Sequence, residues 1–491
     1  MTPYFSLIAP ALPPRPTLRG EHACDVLVIG GGICGILTAR LLHDRGLDVT
    51  LVEAERLLSG QTRGTTAKVT AQHGLFAAKL EKSAGKERAQ MVVQANLEAV
   101  RALGELAKAA EADAAFESVP SLLYTLDCPQ ALEEEADACA RLGLPMTMTR
   151  KLGAPILPAV ALRLDHQAQM NPLAVLGAVA EPLRVFEHSR VLALDGLRAQ
   201  MAQGSVRAER IVVCTHYPML PLAGGYFLRL YQQRAYVLAL RTDERVEGAL
   251  YGVGAGGYSL RSARGAVFLG GESHRCGDAK AARGAYARLR RAADQLFPGA
   301  KELAHWSAQD CITPDGIPYV GAYSPRLPGL YVATGFGKWG MTGSMAAAQI
   351  LADALTGHQS PYAAAFSPQR AVGASAAGAL LRQAGHACTG LGACALPPLR
   401  ASESLAPGEG AIVRDGLQKR AAYRDESGTL HTCSPYCTHL HCQLTFNAAE
   451  RTWDCPCHGS RFDVDGHLLC GPAQREQAGS AQKKSDGYPS P

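Results

Sequence analysis

Cys24-Asp25-Val26-Leu27-Val28-Ile29-Gly30-Gly31-Gly32-Ile33-Cys34-Gly35 decides the fold of most of this chain. The short apolar run ends at Gly30, a helical pattern follows over residues 36–44, and Glu53 closes a second apolar run, Val49–Val52. Strand, glycine turn, helix, strand and acid in that order make a βαβ dinucleotide-binding unit. Gly30 permits the tight turn, Gly32 the close approach of a pyrophosphate, Gly35 the packing of helix on strand, and Glu53 meets the ribose hydroxyls. Gly252-Val253-Gly254-Ala255-Gly256-Gly257 repeats the glycine spacing, but the apolar runs behind it, 258–261 and 266–269, read as hairpin strands. It is a glycine-rich turn, and with one true fingerprint NAD(P)H binding is not expected.

The remaining composition sets bounds. At 491 residues the chain holds two to four domains, and 47% hydrophobic with 19% charged residues describes an ordinary globular protein with ample core. Its net charge of +5 is spread without a basic block, so neither nucleic acid nor an acidic membrane surface is implied as a partner. Residues 1–19 are broken by Pro3, Pro10, Pro13, Pro14 and Pro16 and lack the pattern of a signal peptide. No run approaches the ~20 apolar residues of a membrane helix. The reading is a soluble, cytoplasmic protein with most of its fifteen cysteines reduced.

Two later stretches choose the nucleotide. One is Ser59-Gly60-Gln61-Thr62-Arg63-Gly64-Thr65-Thr66-Ala67-Lys68; the other is the apolar run 329–335 leading through Phe336-Gly337-Lys338-Trp339-Gly340-Met341-Thr342-Gly343 into a helical pattern. They resemble the D-amino-acid oxidase and glycine oxidase superfamily of FAD enzymes over roughly residues 21–365. More narrowly they resemble a bacterial subgroup in which that module is fused to a Rieske domain. A glycine-rich turn at a helix N-terminus aims N–H groups and a positive dipole end at the flavin N1–C2=O edge, and Gly340, Met341 and Thr342 are the candidates there. The resemblance places Thr65, Thr66 and Ala67 beside the isoalloxazine. Lys68 lies either near the reactive N5 or in solvent, and His73 reads as structural. Val191, behind the strand 183–188, and Thr215, at the end of the strand 208–215, are further FAD contacts.

Between residues 80 and 150 the pattern is helical, and residues 162–180 return the chain to the FAD domain. Strands over 234–241, 258–261 and 266–270 read as the antiparallel substrate sheet of the superfamily. Arg234, Tyr258 and Arg261 on it suit an anionic substrate, because guanidinium pairs carboxylate through two bonds; strand arginines also serve as solvated edge residues. Asp315-Gly316-Ile317-Pro318-Tyr319 is the turn back to the FAD domain.

Near the C-terminus stand Cys437-Thr438-His439-Leu440-His441-Cys442 and Asp454-Cys455-Pro456-Cys457-His458-Gly459-Ser460. Two thiolates and two imidazoles suit a Rieske [2Fe-2S] cluster, with Cys437 and Cys455 on one iron and His439 and His458 on the other; they also satisfy tetrahedral zinc, though zinc has no use for Cys442 and Cys457. Residues 406–473 resemble the Rieske loops of the cytochrome bc complexes, and that resemblance implies a Cys442–Cys457 disulfide. Imidazole ligation raises the potential to about −150 to +300 mV, against about −400 mV for plant-type ferredoxins. Phe462 stands where high-potential members carry Tyr, which lowers it somewhat. His441 replaces a common Gly, and no Pro-Leu follows Gly471-Pro472-Ala473.

The expected fold class is α/β: a FAD-binding Rossmann-like domain with an antiparallel β substrate domain, then a small all-β Rieske domain. The expected boundaries are an N-terminal arm 1–20, the FAD module 21–365, a linker 366–405 with a short helix near 376–383, the Rieske domain 406–475 and a disordered tail 476–491. The expected activity is a dehydrogenase that oxidises a small amine or amino acid and passes electrons through FAD and the cluster to an external acceptor protein. Alternatives are a dioxygen-using oxidase with a structural Rieske domain, or a non-catalytic electron-transfer or redox-sensing protein. No second His/His/Asp iron motif supports a Rieske oxygenase.

Overall fold

A computed structural model describes residues 2–9, 11–220, 223–371, 373, 378, 383, 385, 400–416 and 418–477. The chain forms two compact units: Met1–Pro218, Ala235–Gly271 and Leu289–Ala377 in one, Met219–Arg234, Glu272–Arg288 and Gly378–Pro491 in the other.

The first unit holds the fingerprint. A sheet runs in the order Tyr319–Ala322, Leu330–Thr334, Gly204–Val213, Gly20–Ile29, Val49–Val52, Arg184–Phe186, parallel except at its first pair. Val26, Leu27, Val28 and Ile29 are all buried, as a central parallel strand covered on both faces requires. Helix Ile33–Asp44 packs against helix Gly340–Leu355, and both helices are buried along most of their length.

A second, largely antiparallel sheet carries Tyr231–Arg241, Ala266–Arg275, Ser259–Ala263, Ala249–Val253, Phe116–Thr125, Val160–Met170 and Lys68–Val69 in that order, with Lys301–Ile312 at its other edge. Ala249–Val253 and Ser259–Ala263 form a hairpin across the second glycine cluster. Two sequence expectations change here. The helical stretch between residues 80 and 150 is interrupted by the strand Phe116–Thr125, and Val160–Met170 joins this sheet and not the FAD-domain sheet. Both are long strands whose alternation is masked by consecutive buried residues, at one end of Phe116–Thr125 and at both ends of Val160–Met170. The N-terminal arm is not loose either: helix Tyr4–Ile8 sets the Tyr4 and Phe5 rings edge-on to Phe268, at 5.4 and 5.3 Å.

The second unit contains a three-stranded sheet (Gly410–Asp415, Gln418–Arg424, Leu430–Cys433) and a four-stranded one (Thr445–Asn447, Thr452–Asp454, Arg461–Phe462, Leu468–Cys470). Tyr423, Leu444, Trp453 and Phe462 fill its core. Segments 219–234 and 272–288 group with it, although the sequence assigns them to the FAD module. The linker helix expected near 376–383 lies almost wholly outside the described residues, as does the tail from 478 onward.

Candidate functional site

In the first unit the fingerprint glycines are fixed sterically. A Cβ on Gly35 would lie 1.8 Å from the Gly30 carbonyl oxygen, and one on Gly30, at φ +112°, would lie 2.6 Å from the Cys214 oxygen. Gly32 caps helix Ile33–Asp44 without a side chain of its own, and the first turn holds no acidic residue. Its dipole end is therefore available to a phosphate. Thr62, inside the quoted 59–68 stretch, adds a contact the sequence did not single out: its Oγ1 accepts from Ile33 N at 3.1 Å. Glu53 accepts from Gly31 N at 2.6 Å and from Glu55 N at 2.9 Å. Burial holds its carboxyl above the usual range despite these bonds.

Helix Gly340–Leu355 also begins without a side-chain cap or acidic first turn, and Met341 and Thr342 are buried in that turn. Thr342 Oγ1 donates to the Thr70 carbonyl at 3.0 Å and lies 3.1 Å from His73 Nε2. His73 stacks on Trp339 at 4.9 Å, and burial pushes its pKa down to about 3, so it is neutral at pH 7. Thr65 Oγ1 accepts from Ala67 N, and Ala67 holds a left-handed φ of 53°. Val191 is buried; Thr215 Oγ1 donates to the Tyr217 carbonyl at 2.7 Å.

Lys68 is buried. Its Nζ donates to the Leu250 carbonyl and to Ser259 Oγ, and desolvation, then the nearby Arg261, hold its pKa well below that of a free lysine. Arg261 donates to the carbonyls of Thr66 (2.6 Å), Ala67 (2.8 Å) and Met170 (3.3 Å). Its guanidinium thus clamps the 65–67 loop. Tyr258 exchanges main-chain bonds with the Tyr124 hydroxyl, each 3.0 Å. Arg234 belongs to the second unit, where it pairs with Asp454 at 3.2 Å.

In the second unit the two cysteine–histidine loops converge. Cys437, Cys455 and His458 are buried and His439 is half-buried; the two imidazoles stand 5.1 Å apart, edge to face. Pairing with Cys455 is the main cause that draws the Cys437 thiol down to about 7, and the same pairing pushes Cys455 up. Burial lowers both His439 and His458 to about 4. Two neutral imidazoles and two thiols that share one proton, Cys437 being the readier to ionise, form a donor set that fits an iron–sulfur cluster. Cys442 is bonded to Cys457, with Cα atoms 6.8 Å apart. Ser460 is fully buried with its hydroxyl on the Cys437 thiol, and Phe462 offers no hydroxyl. His441, where Gly is common, adopts φ 59° and stacks on Tyr436 at 4.6 Å.

Residues 25–354 match the FAD dependent oxidoreductase family (DAO). The chain belongs to this family. Residues 396–483 match the Rieske [2Fe-2S] domain, so this member of the DAO family binds FAD and an iron–sulfur cluster. YhfW of Bacillus subtilis strain 168, provisionally named a Rieske 2Fe-2S iron-sulfur protein, is 34% identical, over 94% of each chain. The cytochrome b6-f complex iron-sulfur subunit 1 of Nostoc is 43% identical over 58 residues, 12% of this chain and 32% of that one. Among solved structures, glycine oxidase from Geobacillus kaustophilus superposes with a TM-score of 0.60 at 18% identity, covering 72% of this chain and all of the other. L-amino acid deaminase from Proteus myxofaciens gives 0.59 at 15%, covering 73% and 96%. No helix among the described residues is long and apolar enough to cross a membrane.

Proposed function

We propose that this chain is a cytoplasmic FAD-dependent dehydrogenase of an amine or amino-acid-like substrate, and that electrons leave it singly through the Rieske centre to an external acceptor. The observation that carries this reading is the union, in one chain, of a DAO-family module with a Rieske domain. FAD, when bound, supplies a two-electron acceptor and the cluster a one-electron acceptor. The substrate class follows the names of the structures whose fold the module shares, glycine oxidase and L-amino acid deaminase.

In this reading Gly30, Gly32, Gly35 and Glu53 hold the nucleotide, with Val191 and Thr215 beside it. Thr65, Thr66, Ala67, Gly340, Met341 and Thr342 line the isoalloxazine. Cys437, His439, Cys455 and His458 ligate the irons. The chain's own task is orientation more than acid–base chemistry, since an uncharged amine needs alignment of its C–H bond. Burial draws the Lys68 pKa well down, which favours Nζ as an acceptor for the proton of an arriving ammonium group.

Anaerobic addition of candidate amines and amino acids, followed by visible and electron paramagnetic resonance spectra, tests the proposal. Flavin bleaching followed by a reduced-cluster signal is the expected result. Turnover with dioxygen while the cluster stays oxidised would instead favour an oxidase, and a flavin indifferent to every candidate a non-catalytic carrier.

A further inference from the structure

The cluster loops are not enclosed by the C-terminal sheets alone. Within the second unit, residues 227–234 lie against them. The Phe227 carbonyl sits 2.8 Å from His458 Nε2, and the Phe227 ring is edge-on to that imidazole at 6.5 Å. Gln232 Nε2 donates to the His458 carbonyl at 2.6 Å, and Gln383 Nε2 bridges the carbonyls of Leu230 (3.1 Å) and Cys457 (3.4 Å). Arg234 is fully buried and pairs with Asp454, the residue before Cys455. Asp454 also accepts from Asn447 Nδ2 (3.0 Å) and Thr452 Oγ1 (2.9 Å) and lies 3.5 Å from Arg461 Nε.

A carbonyl can only accept, so Nε2 of His458 carries the hydrogen and Nδ1 is the nitrogen left to face iron. Such outer partners fix the ring orientation and the basicity of a metal ligand. We propose that Gln232 and Arg234 are positioning residues of the iron–sulfur centre, holding the 454–458 loop so that His458 presents Nδ1 to the metal. Arg234 thereby acts through Asp454 on Cys455, and Gln232 acts directly on the His458 main chain. The inference stands on the cluster site and is independent of which substrate the flavin module oxidises.

Full-length R234M, R234K and Q232L test it through iron release to a chelator, the g-values of the reduced cluster and its midpoint potential. R234M and Q232L should lose iron about 10- to 100-fold faster than wild type and show shifted g-values and potential, with R234K between them and wild type. Flavin content and substrate-driven bleaching should match wild type in Q232L, which separates this result from a failure of the dehydrogenase reading. If R234M does not fold, Q232L decides, because it removes the Gln232 amide that donates to the His458 carbonyl without removing a charge. Wild-type iron release, spectrum and potential in Q232L would overturn the proposal, as would parallel loss of flavin and iron.

Discussion

Replacing Arg261 by Met separates two roles for this residue. A strand arginine in the substrate sheet suggests a carboxylate binder, whereas the structure spends the guanidinium on the carbonyls of Thr66, Ala67 and Met170. The two shorter bonds are charge-assisted, each worth about 1.5–3 kcal/mol. Burial opposes them, drawing the Arg261 pKa down to about 9, so the group is still charged at pH 7. Ala67 keeps a second donor, Met170 N at 3.2 Å, so its carbonyl is not orphaned by the change. The surplus lost in R261M is therefore about 3 kcal/mol, which at about 2.1 cal/mol/K per residue lowers the melting temperature of a module as long as residues 21–365 by roughly 4 °C. Because the clamped loop holds Ala67 at a left-handed φ, the variant should also release FAD on desalting. Thermal unfolding followed by flavin fluorescence, with the FAD-to-protein ratio, reads both effects. A variant that melts within about 2 °C of wild type and keeps its FAD, but has a strongly raised KM for a carboxylate substrate, would refute the clamp.

Three further outcomes follow from single contacts. G35A should purify without FAD, because the new methyl would meet the Gly30 carbonyl at 1.8 Å; a normal flavin spectrum would contradict this. Removing both disulfide partners, C442S/C457S, opens a bridge of sequence separation 15 and should cost about 3 kcal/mol, read as loss of cluster absorbance at lower denaturant. His431 binds its proton more tightly when folded, chiefly through Asp465 and then Asp425, against the cost of burial. Its stabilisation is thus complete below its unfolded pKa of about 6.5 and fades as pH rises through the raised folded value. Wild type should therefore outlast H431Q in thermal cluster loss at acidic pH, with the gap closing on the alkaline side.

Contiguous motifs were legible because their chemistry is local. The Gly30–Gly35 turn needs only neighbouring strand and helix, and each cysteine–histidine loop is short enough for its spacing to state its ligand set. Arg234 and Arg261 were not legible in the same way. A guanidinium in a strand satisfies a carboxylate, a carbonyl or solvent equally well, and the partner of Arg234 stands far along the chain at Asp454. Gln232 gave no signal, since its bond to the His458 carbonyl exists only after folding. Asp454 offered a faint one, an acid directly before a ligand cysteine. The strand Phe116–Thr125 was missed because flanking helices dominate the local pattern.

The central claim is that both redox groups of one chain lie on one electron route. Anaerobic photoreduction of the flavin in the full-length protein, with the cluster followed by freeze-quench paramagnetic resonance, tests this without knowledge of the substrate. The account predicts that the reduced-cluster signal grows as the flavin reoxidises, at a rate independent of protein concentration. A flavin that stays reduced beside an oxidised cluster, or a rate proportional to concentration, would contradict it.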